Sequence, residues 1–162
     1  MPAPKIHPTS FIHPLAYVAG DVTIGARVSV WPFASIRGDS DAITIGDDTN
    51  VQDGCVIHVD DDTPCHIGKR VGIGHRAIVH GAVVENDVLI AMGAILLNGA
   101  RIGTGSIIGA GAVVREDFVV PPNSLVLGVP GRIVRETTVQ ERDRIARTVA
   151  SYLELQGRYR SS

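Results

Sequence analysis

The amino-acid sequence predicts a mainly β chain: a solenoid of short parallel strands closed by one C-terminal α-helix. An aliphatic residue recurs about every sixth position from Ile12 to Val114, often with glycine after it. The last segment changes to the period of an amphipathic helix. Within the repeat, His58, His75 and His80 hold fixed places, which points to a metal site built on the solenoid.

Counting the aliphatic residue as the first slot, hexads begin at Ile12, Val18, Ile24, Val30 and Ile36, then at Ile45, Val51 and Ile57. They resume at Ile67, Ile73 and Val79, slip by one residue to Val84, and continue through Ile90, Leu96, Ile102, Ile108 and Val114. The fifth slot is small or β-branched, as at Ala34, Cys55, Ala77, Val83 and Ala94. A short strand that meets a tight corner needs a bulky aliphatic inside, a flexible residue at the bend and a small one where space narrows. Three hexads close one triangular coil, so Ile12 to about Val120 makes roughly six coils, a prism about 29 Å tall at a strand spacing of about 4.8 Å. Each coil buries its apolar side only against its neighbours.

The beat breaks at "RGDSDAIT" between Ile36 and Ile45 and at "HVDDDTPCH" between Ile57 and Ile67; both stretches are polar and turn-rich, and both are expected to be loops. After Val120, "PPNSLVLGVPGRIVRE" is expected to end the solenoid and lead the chain out along its side. Thr138 with Glu141 three residues on is a capping box, and Ile145, Val149, Tyr152 and Leu153 form one apolar helical face ending at about Tyr159. The expected organisation is a single unit, with the solenoid and its exit segment over 1–136 and the helix over 137–162 packed on it.

Fifteen Lys and Arg against seventeen Asp and Glu give a net charge of -2, which disfavours nucleic acid and acidic membrane surfaces as partners. The start "MPAPKIHPTS" lacks the basic-then-apolar plan of a secretory signal, and no apolar run approaches the roughly 20 residues needed to span a bilayer. The expected location is cytoplasmic. Cys55 and Cys65 lack CxxC spacing; Cys55, in a small slot, reads as core packing.

Residues three hexads apart share a face of adjacent coils, so Ile36, Ile57 and Val79 stack once each loop is counted as an extension of one hexad. Their second slots are Arg37, His58 and His80, and the two imidazoles are then one strand spacing apart, close enough to share an ion. Val51 and Ile73 head a column on a different face, whose third slots are Asp53 and His75. Within one chain His75 points away from the other two histidines. A cyclic trimer returns it, because its contact sets one face of each subunit against a different face of the next. The ion then lies between subunits with three imidazoles and an open position, and Arg37 pairs with Asp53 of the next chain.

"RGD" at Arg37 to Asp39, "NVQDG" at Asn50 to Gly54, His58 and "GHRAIVHG" at Gly74 to Gly81 resemble the gamma-class carbonic anhydrases, within the hexapeptide-repeat superfamily of left-handed parallel β-helices. The left hand comes from this resemblance. It implies that His58, His75 and His80 are ligands of Zn2+, with Fe2+ or Co2+ as alternatives. It also implies that Gln52 orients the water, that Arg37 and Asp53 brace a homotrimer, and that Asp39 supports the Arg37 pair. The implied chemistry is reversible hydration of CO2 to bicarbonate by a zinc-bound hydroxide at the trimer interface.

Prototype members of the class place a glutamate in a longer acidic loop after the first histidine and an acid directly after Arg-x-Asp; here the loop is "VDDDTPC" and Ser40 holds the second place. Weak turnover, or another substrate, is expected from that departure. Asp60, Asp61 and Asp62 are either proton carriers or a solvated turn. Gln52 either orients water or is an interface hydrogen-bonding residue. Tyr152 and Tyr159 are both within reach of the site; Tyr152 belongs more simply to the apolar face, which leaves Tyr159 as the candidate. Three other functions fit parts of the pattern. "GVPGRIVR" resembles the closing segment of hexapeptide acyltransferases that use acetyl-CoA, a metal-dependent thioesterase would use the same hydroxide, and a non-catalytic trimeric assembly protein would keep the metal as a clasp.

Overall fold

The computed structural model describes residues 2–160. Three stacks of parallel strands form the walls of a prism. The first face carries Val18, Ile36, Ile57, Val79, Leu96 and Val114 in register. The second carries Ile6, Ile24, Ile45, Ile67, Val84, Ile102 and Val120. The third carries Ile12, Val30, Val51, Ile73, Ile90, Ile108 and Val126. These first-slot residues point inward, and Ile36, Ile57, Ile73, Ile90, Leu96, Ile102 and Ile108 are fully buried in one continuous core. Small residues complete that core at the corners, among them Ala34, Cys55, Ala77 and Ala94. Burial pushes the Cys55 and Cys65 thiols up to about 12, so both are inert packing groups.

The prism is longer than the expected Ile12 to Val120. It begins with Lys5–Ile6, which pairs with 23–24, and continues through Ser124–Leu127, which pairs with Ile107–Ile108. Pro8, Pro121 and Pro122 lie beyond the strand ends, at corners, so none of them interrupts a strand. The chain leaves the prism one strand later than expected. Arg132–Glu136 returns antiparallel to Ser124–Leu127 as a hairpin after a cis Val129–Pro130 bond.

The stretch expected as the first loop is instead strand: Ser35–Ile45 runs unbroken around a corner, paired with Tyr17–Ile24 over 35–38 and again over 43–45. Glycines at the bend make this possible. A Cβ on Gly20, whose φ is +84°, would lie 2.1 Å from the Gly38 carbonyl oxygen, so only two glycines let the backbones approach this closely. Opposite the single Asp21, residues 39–42 bulge outward as the surplus of the longer strand. The second expected loop is a true turn, 59–64, between Val56–His58 and Cys65–Ile67. The one-residue slip before Val84 also changes which side chain faces in. Ala82, not Val83, fills the small interior slot, and Val83 turns half outward.

The helix Val139–Arg160 starts at the expected capping box. The Thr138 backbone N–H donates to Glu141 Oε2 at 2.8 Å, and the Glu141 N–H donates to Thr138 Oγ1 at 3.2 Å. Its buried residue Ile145 packs on Leu89, Ile107 and Leu125, the outward side chains of the third face. Tyr152 and Tyr159 pack edge-on to Trp31. Among the described residues, no helix is long and apolar enough to cross a membrane.

Candidate metal centre

The strand register brings Arg37, His58 and His80 side by side on successive coils of the first face. The His58 and His80 ring centroids are 5.0 Å apart, and His58 Nδ1 faces His80 Nε2 at 3.0 Å. Both outer ring nitrogens are engaged. His58 Nε2 meets Asp39 Oδ1 at 2.8 Å, an acid delivered by the 39–42 bulge, and Asp39 also pairs with Arg37. Partial burial would raise the Asp39 carboxyl, but the His58 hydrogen bond and the Arg37 charge outweigh it and hold the group below the usual carboxylate range.

His80 Nδ1 meets Asn98 Oδ1 at 2.6 Å, while Asn98 Nδ2 donates to Asp60 Oδ2 at 2.8 Å. A carboxylate only accepts, so Asn98 must turn its NH2 to Asp60 and its oxygen to His80, which fixes a proton on His80 Nδ1. Asp39 fixes one on His58 Nε2 in the same way.

Counting protons shows what the two imidazoles can hold between them. The contacts Asp39–His58, His58–His80 and His80–Asn98 require three protons, and two neutral imidazoles carry two. With the outer protons assigned, two lone pairs face each other across the remaining gap, so a shared proton or a cation must lie between them. Two nitrogens about 2.05 Å from a tetrahedral zinc are roughly 3.3 Å apart. The 3.0 Å separation here is close to that edge, so the donor set fits a divalent metal. Asp60 belongs to the same cluster: ligand atoms of His58, Asp60 and His80 all lie within 4.8 Å of one another.

His75 stands elsewhere. It follows Ile73 on the third face, its side chain is half-exposed, and its Nδ1 lies 3.0 Å from Asp53 Oδ2. Within one chain Arg37 and Asp53 therefore have separate partners, Asp39 and His75. Gln52 is buried beneath His75; its oxygen accepts from the His75 backbone N–H at 3.2 Å and its nitrogen donates to Asn50 Oδ1 at 3.0 Å. Gln52 and His75 line a cleft of about 250 Å³ with Met92, Arg144 and Tyr152. Burial, reinforced by the Asp53 charge, pushes the Tyr152 phenol up to about 12, so it remains a hydrogen-bond donor. Tyr159 instead packs against Trp31 and Phe11 with ring centroids 5.1 and 6.1 Å apart, so Tyr152 is the tyrosine that lines the Gln52 cleft.

Asn98 escaped the sequence reading, because "NGA" at a corner reads as turn chemistry alone. Its only signal was position, directly after the residue stacked above His80. A wider groove of about 790 Å³ shares Asn98 and Gly81 with this cluster and is otherwise lined by Asp62, His66, Arg101 and Glu116 among others. It contains none of the predicted ligands.

Comparison with known proteins gives three kinds of match. The profile described as bacterial transferase hexapeptide (six repeats) matches residues 3–38 and 81–116. A Methanocaldococcus jannaschii protein named "Probable carbonic anhydrase" is 55% identical over 140 residues, covering 86% of this chain and 88% of the relative. The "Carnitine operon protein CaiE" of Escherichia coli O157:H7 is 38% identical over 159 residues, covering 98% and 81%. A Bacillus cereus crystal structure of a candidate acetyltransferase superposes with a TM-score of 0.95 at 39% identity, covering 98% of this chain and 92% of the other. A hexapeptide transferase family protein from Anaplasma phagocytophilum gives 0.93 at 33% identity, covering 96% and 92%.

Proposed function

Because the chain belongs to the hexapeptide-repeat family of left-handed parallel β-helices, in its gamma-class carbonic anhydrase-like branch, we propose that it hydrates carbon dioxide reversibly to bicarbonate. The proposed site holds zinc through His58 and His80 of one protomer and His75 of a neighbour in a homotrimer. The observation that carries this reading is the facing pair His58 Nδ1 and His80 Nε2, with both outer nitrogens engaged by Asp39 and Asn98. When bound, zinc would supply Lewis acidity that lowers the pKa of a water to about 7.

The chain's own residues do the rest. Asp39, steadied by Arg37, keeps the proton on His58 Nε2, and Asn98 keeps one on His80 Nδ1, so both inner nitrogens present lone pairs. Gln52 uses its oxygen on the His75 backbone and one N–H on Asn50, which leaves a second N–H to orient an oxygen of substrate or product. The exposed turn acids Asp61 and Asp62, three and four residues after His58, are the carboxylates that can take a departing proton. In the trimer, the Arg37 guanidinium would exchange part of its contact with Asp39 for Asp53 of the neighbour. The part of the first face that carries His58 and His80 would then lie against the turn of the next subunit that carries His75.

Chelator-free purification with metal analysis, followed by stopped-flow CO2 hydration, tests the reading. About one zinc per protomer and a rate lost in His80→Ala are expected; a metal-free protein, or a His80→Ala variant as fast as the parent, would overturn it. The transferase names among the relatives favour one second reading, acetyl transfer from coenzyme A. Binding of acetyl-CoA by metal-stripped protein would support that reading instead.

A further inference from the structure

We infer that Asp60 is a metal ligand, so that a single protomer completes a two-histidine, one-carboxylate cation site before any neighbouring subunit contributes. This rests on the proposed metal reading of His58 and His80 and extends it to a residue on the turn that follows.

The geometry assigns one inward-facing atom to each of the three groups. His58 spends Nε2 on Asp39, His80 spends Nδ1 on Asn98, and Asp60 spends Oδ2 on the Asn98 amide. What remains is His58 Nδ1, His80 Nε2 and Asp60 Oδ1, with Oδ1 3.9 Å from His80 Nε2 and the nitrogens 3.0 Å apart. A single carboxamide, Asn98, therefore sets both the imidazole tautomer and the carboxylate orientation, as a partner outside the coordination shell does in established metal sites.

Asp60 is also held by its backbone, unlike an ordinary acid in a turn. Its N–H donates to Thr63 Oγ1 at 3.0 Å, and its carbonyl accepts from the Thr63 hydroxyl at 2.8 Å and from the Thr63 N–H at 3.2 Å. Val59 beside it is fully buried and anchors the turn to the core. Asp61 and Asp62, next along the turn, are exposed. The Asp60 side chain remains 59% accessible, which leaves an entry path for an ion from solvent. Two imidazoles and one carboxylate suit Zn2+, Fe2+ or Co2+ and leave further coordination positions open. His75 of a neighbour can occupy one of these on assembly. In this scheme the metal is loaded on one chain and sealed by the next.

The test uses the full chain and Co2+ alone as the probe, read by visible absorption and by metal stoichiometry. His75→Ala is expected to retain one Co2+ per protomer. Adding Asp60→Ala to that variant should weaken binding at least about tenfold, whereas adding Asp61→Ala, a control for lost charge, should change it less than about twofold. Loss of all Co2+ in His75→Ala, with the parent still loaded, would overturn the inference while leaving the three-histidine centre standing. Equal losses from Asp60→Ala and Asp61→Ala would also overturn it, by reducing Asp60 to a background charge. A parent chain that binds no Co2+ would remove the metal centre itself, and the inference with it.

Discussion

Asn98 gives the most direct test of how the cluster is held, because a single side chain there makes two bonds and belongs to no predicted ligand set. Asn98→Ala removes the acceptor at 2.6 Å from His80 Nδ1 and the donor at 2.8 Å to Asp60 Oδ2. His80 then loses the group that fixes its tautomer, and the imidazole can turn its protonated nitrogen inward. Partners of this kind contribute about 10–100-fold to metal affinity, or roughly 1.4–2.7 kcal/mol. The exposed Asp60 bond adds less than the partly buried His80 bond, because water replaces it readily. Zinc affinity measured by competition with a chromophoric chelator should therefore fall by at least about tenfold. The fold should survive, since the coil is stitched at this corner by the Gly99 N–H to Gly81 carbonyl bond, which the substitution leaves intact. A folded Asn98→Ala protein with zinc affinity unchanged within twofold would refute the reasoning, by showing that the coil backbone alone orients His80.

Three further outcomes follow from the same structure. Ile57→Ala empties a fully buried position between Ile36 and Val79 and should cost about 2–5 kcal/mol in urea unfolding. Gly38→Ala would place a Cβ 2.6 Å from the Asp21 carbonyl oxygen and 3.0 Å from that of Asp41, backbone on both sides; its urea midpoint should fall well below that of the parent. Glu141 receives hydrogen bonds from the Arg135 guanidinium and from the Thr138 N–H, which pull its carboxyl down to about 2. Its contribution to stability is present above the ordinary carboxyl range near 4.5 and is lost as pH falls towards 2. The Tm difference between parent and Glu141→Gln should accordingly be largest at pH 5–6 and shrink towards pH 2; a difference that stays constant would show that the charge is not involved.

The regular coils were legible because each first slot has one physical duty, to fill the interior. Ile57, Ile73 and Ile90 occupy it on two of the three faces and are all fully buried. The helix was legible for a similar reason, since Thr138 and Glu141 satisfy each other's backbone N–H groups wherever the helix packs. Residues 37–44 misled because polarity reads as loop, although a chain with a long neighbouring strand to pair with keeps its ladder and lets the surplus bulge. The two tyrosines illustrate a different limit. Seven residues separate them, about 10.5 Å along a helix axis, and only the helix's placement across the third face decides that Tyr152 meets the Gln52 cleft while Tyr159 meets Phe11. Asn98 was illegible because its role depends on the coil below it.

The departures from the six-residue beat are concentrated around the His58–His80 pair. The surplus at 39–42 turns Asp39 towards His58, and the 59–64 turn carries Asp60 to the opposite side of the same pair. The five-residue step from Val79 to Val84 brings Ala82 into the core two residues after His80. A perfectly regular prism would present only second-slot side chains one coil apart, a ladder of imidazoles with nothing to fix their tautomers. Insertions are costly in a solenoid, since each must be absorbed without shifting the register of every later coil, and here Ile45 and Ile67 resume the stack in step with Ile24 and Val84. Irregularity tolerated at that cost, on three successive coils and around one pair of rings, sets this part of the prism apart from the regular coils and is why it is the candidate site. The regular coils above and below hold it at fixed height.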